Sequence, residues 1–455
     1  MYFDKRLHYY LCLAHVATQA ASAPASSSCP GELHPSYPAP SMAPGYKAQL
    51  IAQNLTDPRG IAFDSEGNLL VVEQEVGIVT LSIEDQGDDC LKVSKRMNLT
   101  QNTNLTHGIT FSNDGKTLYA SSAEAVFSWP YNAAKNTISG TGTDIIDITF
   151  SSDGDHITRT LLFAKKEKNT LIVSRGSQSN VDFDALDLST GHCQIKAFDT
   201  RNLTSSPMNF NTTGKLLGWG LRNSVGVAEH PLTGGIYSVD MGMDYLTRDG
   251  KDISQNNPGD ELNYHGIIGK NNDLNQGLNY GYPYCQTVWD AEVIPQRGEL
   301  VTGNQFLVGD VNDTFVANDT INDAVCAKER AAPVIVVPPH NAPIDLKFNA
   351  DGSEGYISMH GSWDRNGSVG YKVSKVEFAN GFPKEPSSSK TAVIDVMSNP
   401  DVSKCGQIRP YVWNDYCFRP TGLAFDKAGR LFMSSDQTGE IWVITKSSGS
   451  GKTSS

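Results

Sequence analysis

Apolar and polar positions alternate along the chain in a unit that recurs six times. Each unit is a short apolar strand, a tight polar turn and a second apolar strand, and the six copies cover residues 57–74, 105–124, 154–180, 223–242, 342–363 and 419–444. Several of the turns carry the Gly, Asp and Asn residues that hairpins need. Five copies place a phenylalanine in the same slot, at Phe63, Phe111, Phe163, Phe348 and Phe425. The pattern predicts antiparallel β-hairpins.

The spacing of the hairpins predicts an all-β, six-bladed β-propeller. Phe63 and Phe111 are 48 residues apart, and Phe111 and Phe163 are 52 apart. Propeller repeats have roughly 40 to 50 residues, and one blade cannot bury its faces alone, so blades pack in a ring. A strand at 47–55 is expected to complete the last blade. The alternative fold, a two-domain β-sandwich, would not produce this hairpin spacing. The long gap before the fifth copy has room for a seventh blade, but its content favours a functional excursion.

The N-terminal residues and the glycosylation sequons predict that the protein is exported. Residues 1–23 place Lys5 and Arg6 before an apolar run that ends in alanines, which is typical of a secretory signal. Residues 24–45 are Ser/Pro-rich and predict a flexible arm, 46–446 the propeller, and 447–455 a flexible tail. No later segment has the roughly 18 apolar residues of a membrane span. Glycosylation sequons stand at Asn54, Asn98, Asn104, Asn202, Asn211, Asn312, Asn318 and Asn366.

The cysteines indicate disulfides. Of eight cysteines, none forms a Cys-x-x-Cys pair, which argues against zinc or haem attachment. Loss of Cys12 with the signal leaves an odd number, so at least one thiol is unpaired or intermolecular. Proximity in sequence favours Cys405 with Cys417 and Cys285 with Cys326, although spacing alone does not fix the connectivity.

Charge is distributed unevenly along this acidic chain. The net charge of −13 argues against a nucleic-acid partner, because phosphate binding needs clustered Lys and Arg. Cationic, His or amide side chains nevertheless stand where the six innermost strands are predicted to begin: Arg59, His107, His156, Arg159, Arg222, Asn223, His340 and Arg419. One such residue alone is more commonly structural. Because these strand ends converge on the central channel, the set predicts a basic funnel for an anion.

Two further groups of residues belong to the same rim. Arg175 and Ser177 leave the second strand of the third hairpin, at the sheet edge where His156 begins the first. Gly242 and Met243 stand between Asp240 and Asp244 at the exit of the fourth hairpin, and Asp260 and Glu261 follow in a second Gly-broken acidic loop. Acidic loops are usually only solvated, but carboxylate and backbone carbonyl oxygens are the ligands that calcium prefers.

Several segments carry a family resemblance. HITRTLLF, LIVSRGSQSN, LRNSVGVA, PGDELNYHG, LNYGYP and SMHGSWDRNGSVGYKV resemble the glucose/sorbosone dehydrogenases, six-bladed propellers that use pyrroloquinoline quinone (PQQ) and Ca²⁺. With its sequons and secretory start, the chain is most similar to the secreted fungal pyranose dehydrogenases. The resemblance implies oxidation of an aldose or 2-ketoaldose at the anomeric hydroxyl to a lactone. Electrons would pass to an external acceptor, such as a cytochrome domain or an oxidative polysaccharide-degrading enzyme.

The resemblance also implies roles for individual residues. His156 would be the general base, and Arg222 would stand against the quinone carbonyl. Arg222, Asn223, His360, Arg365 and Arg419 would hold the cofactor. The strand pattern adds Arg59, His107, Arg175 and Ser177 to the expected cofactor set. Gly242 and Met243 would offer carbonyls to calcium, with Met243 where bacterial relatives have Pro, and Ser177 stands where they have Asp. Trp363, Tyr280, Tyr282 and Trp289 are candidates for a sugar platform.

Two other functions remain open from the sequence. A calcium lactonase-like hydrolase is one, since six-bladed propellers host that chemistry. Such a site holds its metal mainly with carboxylates and Asn, whereas the strand starts here carry Arg and His. A non-catalytic propeller that binds glycans or proteins is the other, because a fold alone does not fix a function.

Overall fold

Six mainly antiparallel sheets surround a central channel, and each begins with the strand that the hairpin pattern predicts as innermost. The outermost strands of two sheets, Met208–Asn209 and Leu278–Asn279, pair in parallel. The computed structural model describes residues 29, 31–87, 90–149, 154–270, 273–309, 320–409, 412–413 and 416–447. The prediction of a six-bladed β-propeller is confirmed. The predicted signal (1–23) and the end of the predicted tail (448–455) lie outside the described residues.

The first three blades follow each other in chain order. Blade 1 contains Pro58–Phe63, Leu69–Glu73, Gly77–Asp85 and Leu91–Thr100. Blade 2 contains Leu105–Phe111, Thr117–Ser122, Ala125–Asn132, Thr137–Ile138, Thr143–Asp147 and Met208–Asn209. Blade 3 contains Leu161–Phe163, Thr170–Arg175, Gln194–Asp199, Lys215–Trp219 and Leu278–Asn279.

The last three blades include two strands from the N-terminal end. Blade 4 contains Gly226–Glu229, Gly235–Asp240, Asp260–Ile267 and Ile335–Val337. Blade 5 contains Pro343–Phe348, Glu354–Met359, Lys372–Ala379, Phe382–Pro383, Ile394–Ser398 and Ser41–Met42. Blade 6 contains Pro420–Phe425, Leu431–Ser435, Glu440–Lys446 and Tyr46–Ala52. The last of these strands pairs antiparallel with Glu440–Lys446, so the ring closes as expected.

The remaining elements are short. Two-stranded ribbons pair Thr247–Arg248 with Lys251–Asp252, Cys285–Thr287 with Gln305–Leu307, and Gln407–Arg409 with Val412–Trp413. The helix Asp323–Glu329 is capped by Asn322, and single 3₁₀ turns span Phe183–Leu186, Leu188–Thr190, Thr200–Asn202, Ala291–Val293 and Val402–Lys404. No helix in the described ranges is long and apolar enough to cross a bilayer. The excursion before blade 5 therefore forms loops and ribbons beside the propeller rather than another blade.

Glycines let neighbouring innermost strands approach each other. A Cβ added at Gly60 would lie 2.0 Å from the carbonyl oxygen of His107, and one at Gly108 would lie 2.2 Å from that of Arg159. A Cβ added at Gly422 would lie 2.4 Å from the carbonyl oxygen of Arg59. Any side chain at these positions would push two blades apart. The glycine near the strand start in blades 1, 2 and 6 is thus a condition for closing the ring.

Hydroxyls and aromatic rings also join the blades. Ser121, Ser358 and Ser434, each in the second strand of a blade, donate 2.6 Å hydrogen bonds to backbone carbonyls of a neighbouring blade. The five phenylalanines of the repeat end their innermost strands, and each packs on another aromatic ring with centroids 4.7 to 5.6 Å apart. These contacts fix the strand starts at one end of the channel and the phenylalanines at the other.

Three disulfides are present among the described residues. Cys285–Cys326 and Cys405–Cys417 confirm the predicted pairs, and Cys29–Cys90 is a third. Cys193 is a free, buried thiol.

The described part of the predicted flexible arm is packed on the propeller. Ser41–Met42 pairs with blade 5, Leu33 forms a bridge with Leu50, and the buried Tyr37 hydroxyl donates to Glu440. Serine and proline content indicated disorder, but these few contacts and the Cys29 disulfide attach the segment to the blades.

Candidate active site

A cavity of about 790 Å³ opens at the end of the channel where the innermost strands begin. This volume is typical of pockets that hold small molecules. Ten of the predicted strand-start, catalytic, cofactor and metal residues line it: Arg59, His156, Arg222, Asn223, Gly242, Met243, Asp260, His340, His360 and Arg419. The convergence expected from the strand starts therefore brings most of these candidates to one place.

Four other candidates lie outside this lining. Ser177 lies directly behind His156, with its Oγ 2.9 Å from the imidazole Nδ1. Arg175 donates to the carbonyl oxygen of Thr190 at 2.9 Å and to Asn211 at 3.2 Å, so its guanidinium holds a loop. Arg365 donates to the carbonyl oxygen of Gln255 at 3.0 Å. His107 lines a second cavity further along the channel and not the first, so the geometry does not support its expected role in cofactor binding.

The hydrogen bonds of His156 determine its tautomer. Its Nδ1 lies 3.1 Å from the carbonyl oxygen of Ser177 and 2.9 Å from the hydroxyl of the same residue. That hydroxyl donates its proton to the carbonyl oxygen of Ser179 at 2.7 Å, so it only accepts from the ring. Nδ1 therefore carries the proton, and Nε2 keeps its lone pair.

Electrostatics keep His156 uncharged. Burial, followed by the nearby charge of Arg222, lowers the pKa of His156 to about 3. Arg159 fixes the backbone on either side of this residue, because its guanidinium donates to the carbonyl oxygens of His156, Thr158 and Ala123 at 2.8 to 3.0 Å. His156 is a neutral, oriented base on the cavity wall.

A buried carboxylate positions Arg222 and Asn223. The side chain of Asp240 accepts hydrogen bonds from their backbone N–H groups at 3.0 and 2.7 Å. The guanidinium of Arg222 then pairs with Asp244 at 2.9 Å and donates to the Oδ1 of Asn180 at 2.9 Å. The Arg-Asn pair is thus held at both its backbone and its Arg side chain.

Acidic groups are concentrated on the cavity wall formed by blade 4 and the loop around Asp364, which we call the acidic wall. Asp260 accepts the backbone N–H groups of Gly242 and Ala342, both at 3.0 Å. Burial raises the pKa of Asp260 to about 7. Ala342 has a φ of 50°, an unusual value for a residue with a Cβ, so this carboxylate also fixes a strained backbone.

Asp244, His340 and Asp364 form a cluster on the acidic wall, with potential ligand atoms within 4.8 Å of one another. His340 lies between Asp364, at 3.1 Å, and the carbonyl oxygen of Ser254. Burial opposes its charge, but Asp364, the carbonyl oxygen of Ser254 and Asp260 together outweigh burial and raise the pKa of His340 to about 9. Burial raises the pKa of Asp244 to about 6. The cluster combines a charged imidazole with two carboxyl groups.

The opposite side of the cavity, which we call the cationic wall, gathers around Asp436. This carboxylate accepts from Arg59 at 2.6 Å and from His360 at 2.8 Å. Burial alone would raise the pKa of Asp436, but His360, Arg59 and Arg419 hold it well below its ordinary value. Arg419 donates to the carbonyl oxygen of His360 at 3.2 Å, and the buried Nε of Arg59 has no partner in the described part of the chain. Two guanidinium groups here face one carboxylate.

Aromatic rings mark the mouth of the cavity. Trp363 and Tyr245 line it, are 49% and 57% exposed, and contact each other edge to face with centroids 5.9 Å apart. Tyr280 and Tyr282 are buried, and their hydroxyls donate to the carbonyl oxygens of Tyr264 and Asn180. Trp289 lies under Lys390 and is not part of the lining.

The sequence pattern pointed to Asp240, Asp244 and Asp260 as possible metal ligands, but not to Asp364 or Asp436. Glu73, Asp240 and Asp436 stand at or just after the end of the second strand in blades 1, 4 and 6. This recurring position after the second strand is the signal that would have found Asp436.

Comparisons with known proteins agree with this geometry. Residues 40–447 match the TrAA12-like family. A PQQ-dependent sugar dehydrogenase of Hypocrea jecorina is 42% identical over 97% of both chains. A PQQ-dependent pyranose dehydrogenase of Coprinopsis cinerea is 32% identical over 93% of this chain, which spans 56% of that relative's length.

Solved structures lead to the same relatives. The calcium structure of a Trichoderma reesei carbohydrate-active enzyme of family AA12 superposes with a TM-score of 0.85 at 43% identity, covering 92% of this chain and 100% of that one. The holo PQQ domain of the Coprinopsis cinerea pyranose dehydrogenase gives a TM-score of 0.82 at 31% identity, covering 92% and 99%. The predicted resemblance to fungal PQQ-dependent pyranose dehydrogenases is confirmed, and the chain belongs to the TrAA12-like family.

Proposed function

We propose that the protein is a PQQ-dependent sugar dehydrogenase that oxidises the anomeric hydroxyl of an aldose or 2-ketoaldose to the lactone. The observation that carries the proposal is the cavity itself. It combines an excess of guanidinium groups on one wall with a neutral histidine whose Nε2 is available as a base. Membership of the TrAA12-like family supports the assignment.

The residues present fit PQQ, which carries three carboxylates. Arg59 and Arg419 would bind carboxylate groups, because guanidinium forms strong charge-assisted hydrogen bonds with them. The buried, unpartnered Nε of Arg59 fits an anionic ligand, since such a donor is costly to leave unsatisfied. When bound, PQQ supplies an ortho-quinone that accepts two electrons from the sugar.

His156 would take the proton of the sugar hydroxyl on Nε2. Its Nδ1–H is already oriented by Ser177, and this hydrogen bond stabilises the imidazolium that forms. The positive charge of Arg222 lowers the pKa of His156. An anion bound beside Arg222 would cancel part of the charge of this arginine and so raise the pKa of His156 from about 3. The base would therefore gain strength when the cavity is filled. Arg222 would stabilise negative charge that develops on the reacting oxygen.

The acidic wall is the proposed location of calcium. Backbone carbonyl groups of Gly242 and Met243 are candidate ligands, and Asp244 adds a carboxylate next to them. Asp260 has both oxygens engaged with backbone N–H groups, so we assign it the task of holding this wall in place. A cation here would act as a Lewis acid beside the reacting centre.

We also propose that the protein is exported and passes its electrons to an external acceptor, such as a cytochrome. The three disulfides support an oxidising compartment. Trp363 and Tyr245 at the cavity mouth are suited to stacking on a sugar ring.

The test is dye reduction by the purified protein loaded with PQQ and calcium, across a panel of aldoses and 2-ketoaldoses. We expect dye reduction that depends on PQQ, with the lactone as the product identified by mass spectrometry. Lactone hydrolysis by the calcium-only protein, without sugar oxidation, would instead support the hydrolase. Sugar binding without either reaction would support a glycan-binding propeller.

A further inference from the structure

A second cavity, of about 230 Å³, continues the channel beyond the first. Both cavities are lined by successive residues of the same innermost strands. Arg59 and Ile344 line the first cavity, which we call the upper cavity. The residues that follow them, Gly60 and Asp345, line the second, which we call the lower cavity. The two cavities are therefore stacked along the channel axis. The exposed Lys165 lines the lower cavity, which connects it to solvent on the face opposite the active site.

His107 lies in this lower cavity and is only 3% exposed. Its buried Nδ1 has no hydrogen-bond partner in the described part of the chain. Buried polar atoms almost always have a partner, which is ordered water when no protein group is within reach. A cavity of this size has room for several waters, each of which occupies roughly 30 Å³ in the liquid. The orphaned nitrogen thus indicates water in the channel.

The imidazole of His107 interacts electrostatically with residues of both cavities. After burial, the groups that lower its pKa are Arg59 and His360, which line the upper cavity, and Lys347, which lines the lower one. Asp436 acts in the opposite direction but is outweighed. The imidazole is neutral, so one nitrogen donates and the other accepts, as a proton relay requires.

We propose that His107 and the water of the lower cavity carry protons from the active site to the opposite face of the propeller. The inference rests on the proposed function. Oxidation of one sugar hydroxyl to a lactone removes two electrons and two protons. The electrons leave on a one-electron acceptor such as a haem protein, and both protons must reach water. A protein acceptor docked at the upper cavity would cover its mouth, so the lower cavity would offer the protons a separate way out.

Direct observation of water comes first. A high-resolution crystal structure of the cofactor-free protein is expected to show ordered waters from the Nδ1 of His107 to the opening beside Lys165. This readout does not depend on activity. A dry lower cavity would overturn the proposal.

Two variants test the path from independent sides. His107→Leu removes the relay nitrogens, and Ala62→Leu narrows the lower cavity while leaving His107 in place. Stopped-flow measurements should find sugar-driven reduction unchanged and reoxidation by a soluble cytochrome, which is large enough to cover the upper mouth, slowed about 10-fold or more in both. Ile109→Val, which lines the same cavity but keeps His107, should reoxidise normally.

Failure of the relay and failure of the proposed function are distinguishable. No sugar-driven reduction in the unaltered protein would reject the function. Normal reduction together with normal reoxidation in both leucine variants would reject the relay. If His107→Leu fails to fold, Ala62→Leu and the crystal structure still test the proton relay.

Discussion

The two walls of the upper cavity differ in the sign of their charge. On the cationic wall, Arg59 and Arg419 lie beside Asp436, the one buried carboxylate there among the described residues, whose pKa is held far below normal. On the acidic wall, Arg222 and His340 are surrounded by four carboxyl groups, of Asp240, Asp244, Asp260 and Asp364. One small cavity therefore has a side suited to anions and a side suited to a cation. His156, beside Arg222, is neutral and belongs to neither.

This difference explains how an acidic protein binds a tri-acid cofactor. A uniformly basic funnel would attract anions but would leave buried like charges unpaired, which is costly. Here each guanidinium has a carboxylate or carbonyl partner, and only the cationic wall retains an excess of positive charge. The separation also allows a divalent cation to sit in the same cavity.

The largest expected effect comes from His156→Ala, which removes the neutral base but no charge from either wall. We expect turnover to fall about 10²- to 10⁴-fold, the usual contribution of a general base. PQQ affinity, measured by titration, should change little. His34→Ala alters an exposed histidine far from the cavity and should leave turnover unchanged. Near-normal turnover in His156→Ala would remove this residue from the mechanism.

Arg419→Gln reduces the excess charge of the cationic wall. Loss of a charge-assisted hydrogen bond should weaken PQQ binding about 10- to 100-fold. Arg430→Gln is the matched control, because this arginine of the same blade pairs with Asp85 and Asp426 away from the cavity. Equal PQQ affinities in the two variants, measured by calorimetry, would contradict the distinction between the walls.

Asp244→Asn tests the acidic wall. Loss of one carboxylate should weaken calcium binding about 10- to 100-fold, as loss of groups close to a metal commonly does. Asp184→Asn is the control, because Asp182, Asp184 and His192 form a second carboxylate–histidine cluster outside the cavity. Calcium affinity measured by titration should be unaffected in the control. If Asp184→Asn has the larger effect, calcium binds elsewhere.

Arg222→Gln should change the titration of His156. Removal of a nearby positive charge stabilises the imidazolium, so the pKa of His156 rises from about 3 in the cofactor-free protein. The neutral form exists above the pKa, so the base would be lost at a higher pH in the variant than in the parent. NMR titration of the imidazole measures both values, and a lower pKa in the variant would contradict this account.

The smallest effect is expected at the cavity mouth. Trp363→Ala removes a ring that contacts Tyr245, and loss of such stacking should raise the KM for sugar about 2- to 10-fold with little change in kcat. Phe382→Ala removes a ring of similar exposure on a strand of blade 5 away from the cavity and should not change KM. A fall in kcat alone would argue against a sugar platform.

The two regions also differ in how far the sequence predicts them. The hairpin period fixes the blades, and the blades bring Arg59, His156, Arg222 and Arg419 together without further information. The partners of these groups are not local in sequence. Asp436 is 377 residues from Arg59, so only closure of the ring between blades 6 and 1 creates this contact. Asp364 and Asp244 meet between the neighbouring blades 5 and 4.

Charge and composition misled where short-range contacts decide. Arg175 and Arg365 resemble the cavity residues in type and position, but nearby carbonyl oxygens bind their guanidinium groups. His107 stands at a strand start like Arg59, yet it faces the lower cavity. The Ser/Pro-rich segment before residue 46 is held by a disulfide and a buried tyrosine that its composition does not indicate.

The most direct test is calorimetric titration of the calcium-loaded protein with PQQ. We expect saturable binding of one PQQ per chain. The affinity for PQQ should be clearly lower in Arg419→Gln and unchanged in Arg430→Gln. Absence of saturable binding, or equal binding in the protein and both variants, would contradict the claim that the cationic wall holds the cofactor.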